Sequence, residues 1–272
     1  MAPMTDAATI FRTLHDGPSP FRLVNAWDAL SARVLAVAGA PAVATSSFAV
    51  AVARGYNDGE QIPWQDVCAT VESITDAVDV PVSVDIEAGR GAEPVLRTAV
   101  ADVVAAGAVG INLEDRDEEP GRLIDPDTQS ERIAAARDAG GADLFINARC
   151  DVYFGAAIPD ADRLETALSR TQRYVAAGAD GIFLPGLVDL EAVRRVTSDV
   201  SVPMNVMLWP GLPPIDELAA AGVRRISQGA AAFLSTIGYL ERITKAYLDG
   251  EPIGFAGNDP PAVHLVPQLL YR

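Results

Sequence analysis

Eight short apolar runs, each parted from the next by a stretch with helical spacing, constrain this chain more than any other feature of its sequence. They are FRLVNAW (21–27), APAVATSS (40–47), VPVSVDIE (80–87), VGINLED (109–115), DLFINARC (143–150), DGIFLPG (180–186), VPMNVMLW (202–209) and VRRISQG (223–229). Strands covered by helices on both faces read this way, as near-continuous apolar segments. A local echo precedes several of them: AVAGAPAV, AAGAVGI, AAGADGI and AAAGVRR each place a glycine where a left-handed cap turns a helix into the next strand. Eight βα units over about 210 residues predict an α/β protein of the (β/α)8 TIM-barrel class; an open doubly wound sheet shares the periodicity and is the alternative.

At 272 residues, 49% of them apolar, the chain is expected to be a single barrel domain spanning 1–272. From about residue 230, LSTIGYLERITKAYLDGEP reads as an extra C-terminal helix. The tail GFAGNDPPAVHLVPQLLYR has no period and is expected to pack on a neighbour or fray. A formal charge of -16 argues against nucleic-acid partners, which need Lys and Arg to neutralise phosphates. No apolar run reaches the roughly 20 residues of a membrane helix, and the acidic N-terminal segment is unlike a signal peptide, so no membrane partner and a cytoplasmic location are expected. Cys68 and Cys150 make no disulfide framework or zinc cluster and are expected to be reduced.

Scarce residues narrow the chemistry. Lys245 is the one lysine, and His15 and His264 are the only histidines; none falls in the strand-bearing region. That argues against Schiff-base and pyridoxal phosphate chemistry and against imidazole-based triads or zinc sites. The acids, by contrast, collect where strands end, which in a barrel is the reactive face. Asp85 and Glu87, two residues apart, are expected on one side of the third strand. Glu114 closes the fourth, and Asp58 arrives from the loop after the second. Like charges crowded on one inward face repel unless a cation lies between them. Oxygen ligands without His or Cys favour Mg²⁺ or Mn²⁺. Asp115, Asp117, Glu118 and Glu119 read instead as caps and loop decoration.

The fifth strand places Asn147, Arg149 and Asp151 on one face and Cys150, read as a packing residue, on the other. Arg149 is either a fork for a substrate carboxylate or phosphoryl group, with Asp151 or a metal-site acid as partner, or a structural counter-charge to the acidic mouth. Thr45, Ser46 and Ser47 are either carboxylate-binding hydroxyls or turn formers. Asn205 either meets substrate or hydrogen-bonds internally.

These motifs in this order resemble the phosphoenolpyruvate mutase/isocitrate lyase superfamily: NAWDALSA (25–32), TSSFAVAVARGYNDGEQIPW (45–64), VSVDIEAGRG (82–91), GINLED (110–115), INARCD (146–151), AGADGIFLPG (177–186) and PMNV (203–206). The resemblance spans roughly residues 20 to 250. It implies a Mg²⁺-dependent barrel, often a homodimer or homotetramer, that makes or breaks a C–C or P–C bond next to a 2-oxo acid through an enolate-like species. It further implies that Asp58, Asp85, Glu87 and Glu114 hold the metal directly or through water. Ser46 and Ser47 would bind the substrate carboxylate, and Arg149 the substrate. An enolate oxygen beside a cation and Arg149 would be stabilised by preorganised charge.

Departures from the family pattern matter as much. Where isocitrate and methylisocitrate lyases carry a Lys-Cys-Gly-His-type loop and the mutases a Lys and an Asn, this chain reads EDRDEEPGRLIDPDTQSERI (114–133), without Cys, Lys or His. The sixth strand ends FLPG where related lyases tend to have a glutamate, whereas Asn205 leans toward the lyase branch. The expected function is cleavage of a C–C bond in a small 2-hydroxy or 2-oxo di- or tricarboxylic acid, as in a methylisocitrate lyase, with Asp58 and Arg149 in catalytic roles. One alternative is an oxaloacetate or phosphonopyruvate hydrolase or decarboxylase, or a mutase. Another is a barrel that binds metabolites without turning them over. The proton donor stays open among a metal-bound water, Tyr56 and a residue such as Arg122.

Overall fold

The structure is a computed structural model, which describes residues 6–117, 119–253 and 263–270. A helix α1 (Asp6–Thr13) precedes eight parallel strands: β1 (Phe21–Ala26), β2 (Val43–Thr45), β3 (Val82–Asp85), β4 (Gly110–Glu114), β5 (Phe145–Arg149), β6 (Gly181–Phe183), β7 (Met204–Met207) and β8 (Arg225–Ser227). Each strand lies inside one of the eight apolar runs. The sheet closes in sequence order, β8 pairing with β1 through Phe21 and Arg225, so the barrel rather than the open sheet is formed.

Helices α2 (Ala29–Val37), α3 (Ser47–Ala53), α4 (Trp64–Ala77), α5 (Glu93–Ala105), α6 (Pro126–Gly140), α7 (Asp160–Ala176), α8 (Leu190–Asp199) and α9 (Ile215–Ala220) connect the strands. The echoed glycines do the work expected of them. Gly39, Gly107, Gly178 and Gly222 have φ of 94, 93, 104 and 91°, values that cost other residues a steric penalty. Val84, Ile111, Leu113, Ile146, Ile182 and Val206 face outward into one continuous core with the helices.

The inner face departs from an ordinary barrel, whose layers are branched aliphatics. Here Ser83, Asn112, Asn147, Asn205 and Arg225, all buried, occupy the inward positions. An aromatic plug closes the floor below them. Phe11 of α1 meets Phe21 and Phe145 edge-on, and His15 stacks on Phe145 at 4.6 Å. The His15 Nδ1 donates to the carbonyl of Phe11 at 2.9 Å, which leaves Nε2 as a bare acceptor.

Asp115 corrects its reading as loop decoration. It is fully buried, accepting from the Tyr174 hydroxyl at 2.7 Å, Arg170 at 3.0 Å and the Asp151 backbone N–H at 2.8 Å. Asp117 and Glu119 do lie in the loop after β4, and Glu118 lies outside the described residues. The C-terminal α10 (Ala231–Leu248) is present as expected, and α11 (Val266–Leu270) docks on α2, with Arg33 donating to the Leu269 carbonyl. No helix among the described residues is long and apolar enough to cross a membrane.

Burial first, and the charge of Arg225 second, lower the His15 pKa from 6.5 to about 4. The unfolded chain therefore binds the extra proton more readily, so this contribution is complete above pH 6.5 and is lost as the pH falls toward 4. The stability difference between wild type and His15→Phe, measured by urea unfolding, is expected to shift against the wild type by about 3 kcal/mol between pH 7 and pH 4; a difference independent of pH would refute this assignment. Asp115→Ala is expected to destabilise the fold by about 3–5 kcal/mol through the stranded Arg170 charge, and a calorimetric loss near zero would contradict it.

Candidate functional site

Asp85 ends β3 with its carboxylate held from two sides. Ser47, the first residue of α3, donates its hydroxyl to Oδ2 at 2.9 Å, and the Glu87 N–H approaches Oδ1 at 3.3 Å. The Asp85 N–H in turn donates to Thr45 Oγ1 at 2.9 Å. Glu87 does not follow by strand alternation, because the strand stops at Asp85 and Glu87 takes a left-handed φ of 55°. Its buried carboxylate instead accepts from the Gly59 and Glu60 backbone at 3.0 and 2.7 Å and pairs with Arg90 at 2.9 Å. Glu60 and Arg90 are also left-handed, with φ of 62 and 69°, and the Arg90 N–H donates to Glu60 Oε1. Three non-glycine residues in this region are costly, at about 1–3 kcal/mol each. The clasp they form fixes the loop that carries Asp58.

On the opposite side, Glu114 at the end of β4 meets Arg149 at 2.7 Å. Arg149 also grips Asp151 with Nε and Nη2 at 2.6 and 2.8 Å, a bidentate pair. Arg116, from the loop after β4, reaches Asp151 at 3.1 Å. Burial pushes the Glu87 carboxyl up to about 7 against its hydrogen bonds and Arg90, and pushes Glu114 upward against Arg149. Burial also works against the Arg149 charge, yet Glu114 and Asp151 outweigh it and hold the guanidinium above its usual range.

Between the two sides opens a cavity of about 220 Å³. Ser46, Ser47, Asp58, Asp85 and Arg149 line it, and Phe154, Phe183 and Trp209 form an aromatic wall. Partial burial and the neighbouring charge of Asp85 push the Asp58 carboxyl upward. Glu87, Glu114, Asp115 and Asp151 each have a guanidinium within 4 Å, at 2.9, 2.7, 3.0 and 2.6 Å, whereas Asp58 and Asp85 have none among the described residues. Among the described residues no three acidic, Cys or His side chains converge as a closed metal cage. The acids at the mouth offer carboxylate oxygens without Cys or His, the donor type that a hard cation such as Mg²⁺ takes.

Not every expected residue reaches this cavity. Thr45 lies behind Asp85, and Asn205 is buried deeper in the barrel with Nδ2 toward Ser227 at 3.3 Å. Ser46 caps α3, its hydroxyl oxygen accepting from the Ala49 N–H, which is the turn-forming role, and the residue also lines the cavity. Cys150 packs in the core as expected. Tyr56 is exposed and outside the cavity lining, and Arg122 pairs with Glu119 on the surface. A second chamber of about 400 Å³, lined by Glu114, Arg116, Arg122 and Phe154, lies beside the first. Sequence reasoning missed Asn25, Asn112 and Ser227 in the cavity wall. Period two along β4 points from Glu114 back to Asn112; nothing local marks Phe154 or Trp209, which come from loops.

Comparison with known proteins shows the family of the chain and agrees with its fold. The family model described as phosphoenolpyruvate phosphomutase matches residues 11–248. An uncharacterized protein of Mycobacterium tuberculosis is 35% identical over 244 residues, covering 89% of this chain and 90% of that protein. The 2-methylisocitrate lyase of Escherichia coli (strain K12) is 29% identical over 82% of this chain and 78% of its own length. Among solved structures, 2,3-dimethylmalate lyase superposes with a TM-score of 0.81 at 26% identity, covering 98% of this chain and 95% of that one. The chain belongs to the phosphoenolpyruvate mutase/isocitrate lyase superfamily, whose members are lyases and mutases.

Proposed function

We propose that this protein is a Mg²⁺-dependent lyase that cleaves a C–C bond in a small 2-hydroxy or 2-oxo carboxylic acid: a 2-oxo acid keeps the electron pair as a pyruvate-type enolate, whereas a 2-hydroxy acid gives up its hydroxyl proton, leaves as the 2-oxo acid and passes the pair to the other fragment as a carboxylate enolate that is then protonated. One observation carries the reading: Asp58 and Asp85, the two mouth acids without a guanidinium partner among the described residues, line the same small cavity as Arg149. Carboxylates in direct contact with no guanidinium are suitable ligands for a cation, with Asp85 and Asp58 nearest to it and Glu87 and Glu114 supporting it through water. When bound, the cation would polarise the oxygens of a 2-oxo acid.

The chain's own groups have separable tasks. The Ser46 hydroxyl is free to donate to a substrate carboxylate. Arg149 acts as fixed positive charge in the cavity wall: Glu114 and Asp151 take one N–H each from Nη1, Nε and Nη2, and the second N–H on each of Nη1 and Nη2 is left for a substrate oxygen. Phe154, Phe183 and Trp209 exclude water from the reacting end. In a cavity of this size with one lining guanidinium, a di- rather than a tricarboxylic acid is the better match. The homo-oligomer that the family resemblance implies is supported by the exposed Leu234, Leu240 and Leu248 on α10.

A second reading is decarboxylation of oxaloacetate. It is favoured by the loop after β4, which sends no thiol, imidazole or amine to the cavity. Loss of CO₂ needs no acid to protonate a leaving group. A relative in Pseudomonas fluorescens (strain Pf0-1), 29% identical over 85% of this chain, bears the name oxaloacetate decarboxylase 2.

A pyruvate-coupled assay over 2-hydroxy and 2-oxo acids is expected to show Mg²⁺-dependent product release, abolished by chelation and lowered at least about a thousandfold by Asp85→Ala. Turnover of oxaloacetate alone would select the second reading. Oxalate binding without turnover of any acid would overturn both in favour of a metabolite-binding barrel.

A further inference from the structure

Asn112 sits on β4 two residues before Glu114, with its side chain in the cavity wall. Its amide oxygen is engaged twice from the barrel interior, by Asn147 Nδ2 at 2.8 Å and by Arg225 Nη2 at 3.4 Å. A guanidinium only donates, so Arg225 requires an acceptor opposite it. Flipping the Asn112 amide would set N–H groups against N–H groups. The network therefore fixes which end of the amide is which, and the Asn112 Nδ2 donors are left to the cavity side.

Arg225 is the anomaly behind this arrangement. It is 1% exposed, lies over the Phe11 ring at 5.9 Å, has no carboxylate within 4 Å among the described residues, and leaves Nε and Nη1 without hydrogen-bond partners. Such a group is expensive to bury. Burial lowers its pKa to about 9 while the charge of Asp85 acts in the opposite sense, so the group is still a cation at neutral pH. A fixed positive charge thus stands in the low-dielectric interior of the barrel behind an oriented amide.

We propose that Asn112 binds an anionic substrate oxygen, of the carboxylate or enolate class, through its amide nitrogen, and that Arg225 is a positioning residue that orients this amide and adds positive charge behind it. The inference rests on the cavity being the site of a 2-oxo acid. Preorganised donors of this kind gain most where charge develops in a water-poor cavity.

Calorimetric titration of oxalate in the presence of Mg²⁺, with the full chain, tests it. Asn112→Asp keeps the side-chain size and the acceptor for Arg225 but removes the donors, so its melting temperature is expected to hold or rise. Asn112→Ser removes the two Nδ2 donors without adding charge and leaves only a shorter hydroxyl. Both are expected to weaken oxalate about ten- to hundredfold, and titrating Mg²⁺ alone separates this from loss of the cation. Arg225→Met is expected to weaken oxalate too, with a smaller loss in the Asn112→Ser background than in the wild type, because there only its charge and not its orienting bond is left to lose. A folded Asn112→Ser variant with wild-type oxalate affinity would overturn the role of Asn112, and additive losses in the double variant would overturn that of Arg225. Wild-type protein that binds no oxalate with Mg²⁺ would instead overturn the proposed function, and this inference with it.

Discussion

Removing both carboxylates from Arg149 would strand a guanidinium that is almost wholly enclosed, at a cost of about 3–5 kcal/mol. The mouth of the barrel is organised around avoiding that outcome. Glu114 and Arg149 are direct register partners on β4 and β5, so their ion pair reinforces the sheet at the point where the strands end. Asp151 takes the other edge of the guanidinium, and its own N–H is fixed by Asp115, which is tied to Arg170 and Tyr174 of α7. A continuous chain of charge-assisted bonds therefore runs from the cavity wall out to the helical layer. Rigidity of this kind is what lets a site hold charge in a useful place without reorganising.

The opposite side of the mouth is fixed differently, through backbone strain rather than through a buried pair alone. Glu60, Glu87 and Arg90 all hold left-handed conformations and are joined by hydrogen bonds between the two loops that contain them. Strain persists only where surroundings over-determine it, and here the Glu87 carboxylate supplies that determination by accepting from Gly59 and Glu60 while pairing with Arg90. The consequence falls on Asp58, the residue beside Gly59. A loop tip that is otherwise exposed is held so that one of its acids faces the cavity.

Much of this was legible beforehand, for identifiable reasons. Burial on both faces writes a strand as an apolar run, and helix ends write themselves as glycine, so the eight runs and the four echoed caps lead directly to the strands and turns observed. Acids that close apolar strands were legible because they are costly there: Asp85, Glu114 and the partnership of Arg149 with Asp151 follow from that rule. Glu87 was misplaced because alternation assumes that the strand continues, and only a φ of 55° ends it. Asp115 was undervalued because its partners, Arg170 and Tyr174, lie more than fifty residues away in sequence. Asn112, Ser227 and Phe154 are ordinary in their local context and gain meaning only when the barrel closes.

Arg149, Arg170 and Arg225 differ in how their charge is met. Arg149 has two carboxylates and Arg170 has one with a tyrosine hydroxyl, so each is close to neutralised where it stands. Arg225 has neither, and its nearest engagement is the oxygen of Asn112. Within the cavity the imbalance is reversed, because Asp58 and Asp85 are the acids left without guanidinium partners among the described residues. Unmatched negative charge at the loop side and unmatched positive charge behind β4 therefore face one another across about 220 Å³. Such a field separates a cation from an anion instead of letting either fill the whole space: the cation is drawn to the carboxylates and the anionic oxygens to the amide of Asn112 and the hydroxyl of Ser46. A 2-oxo acid held with a metal would have this polarity, which is what the proposed chemistry needs of a cavity lined by neither lysine nor histidine.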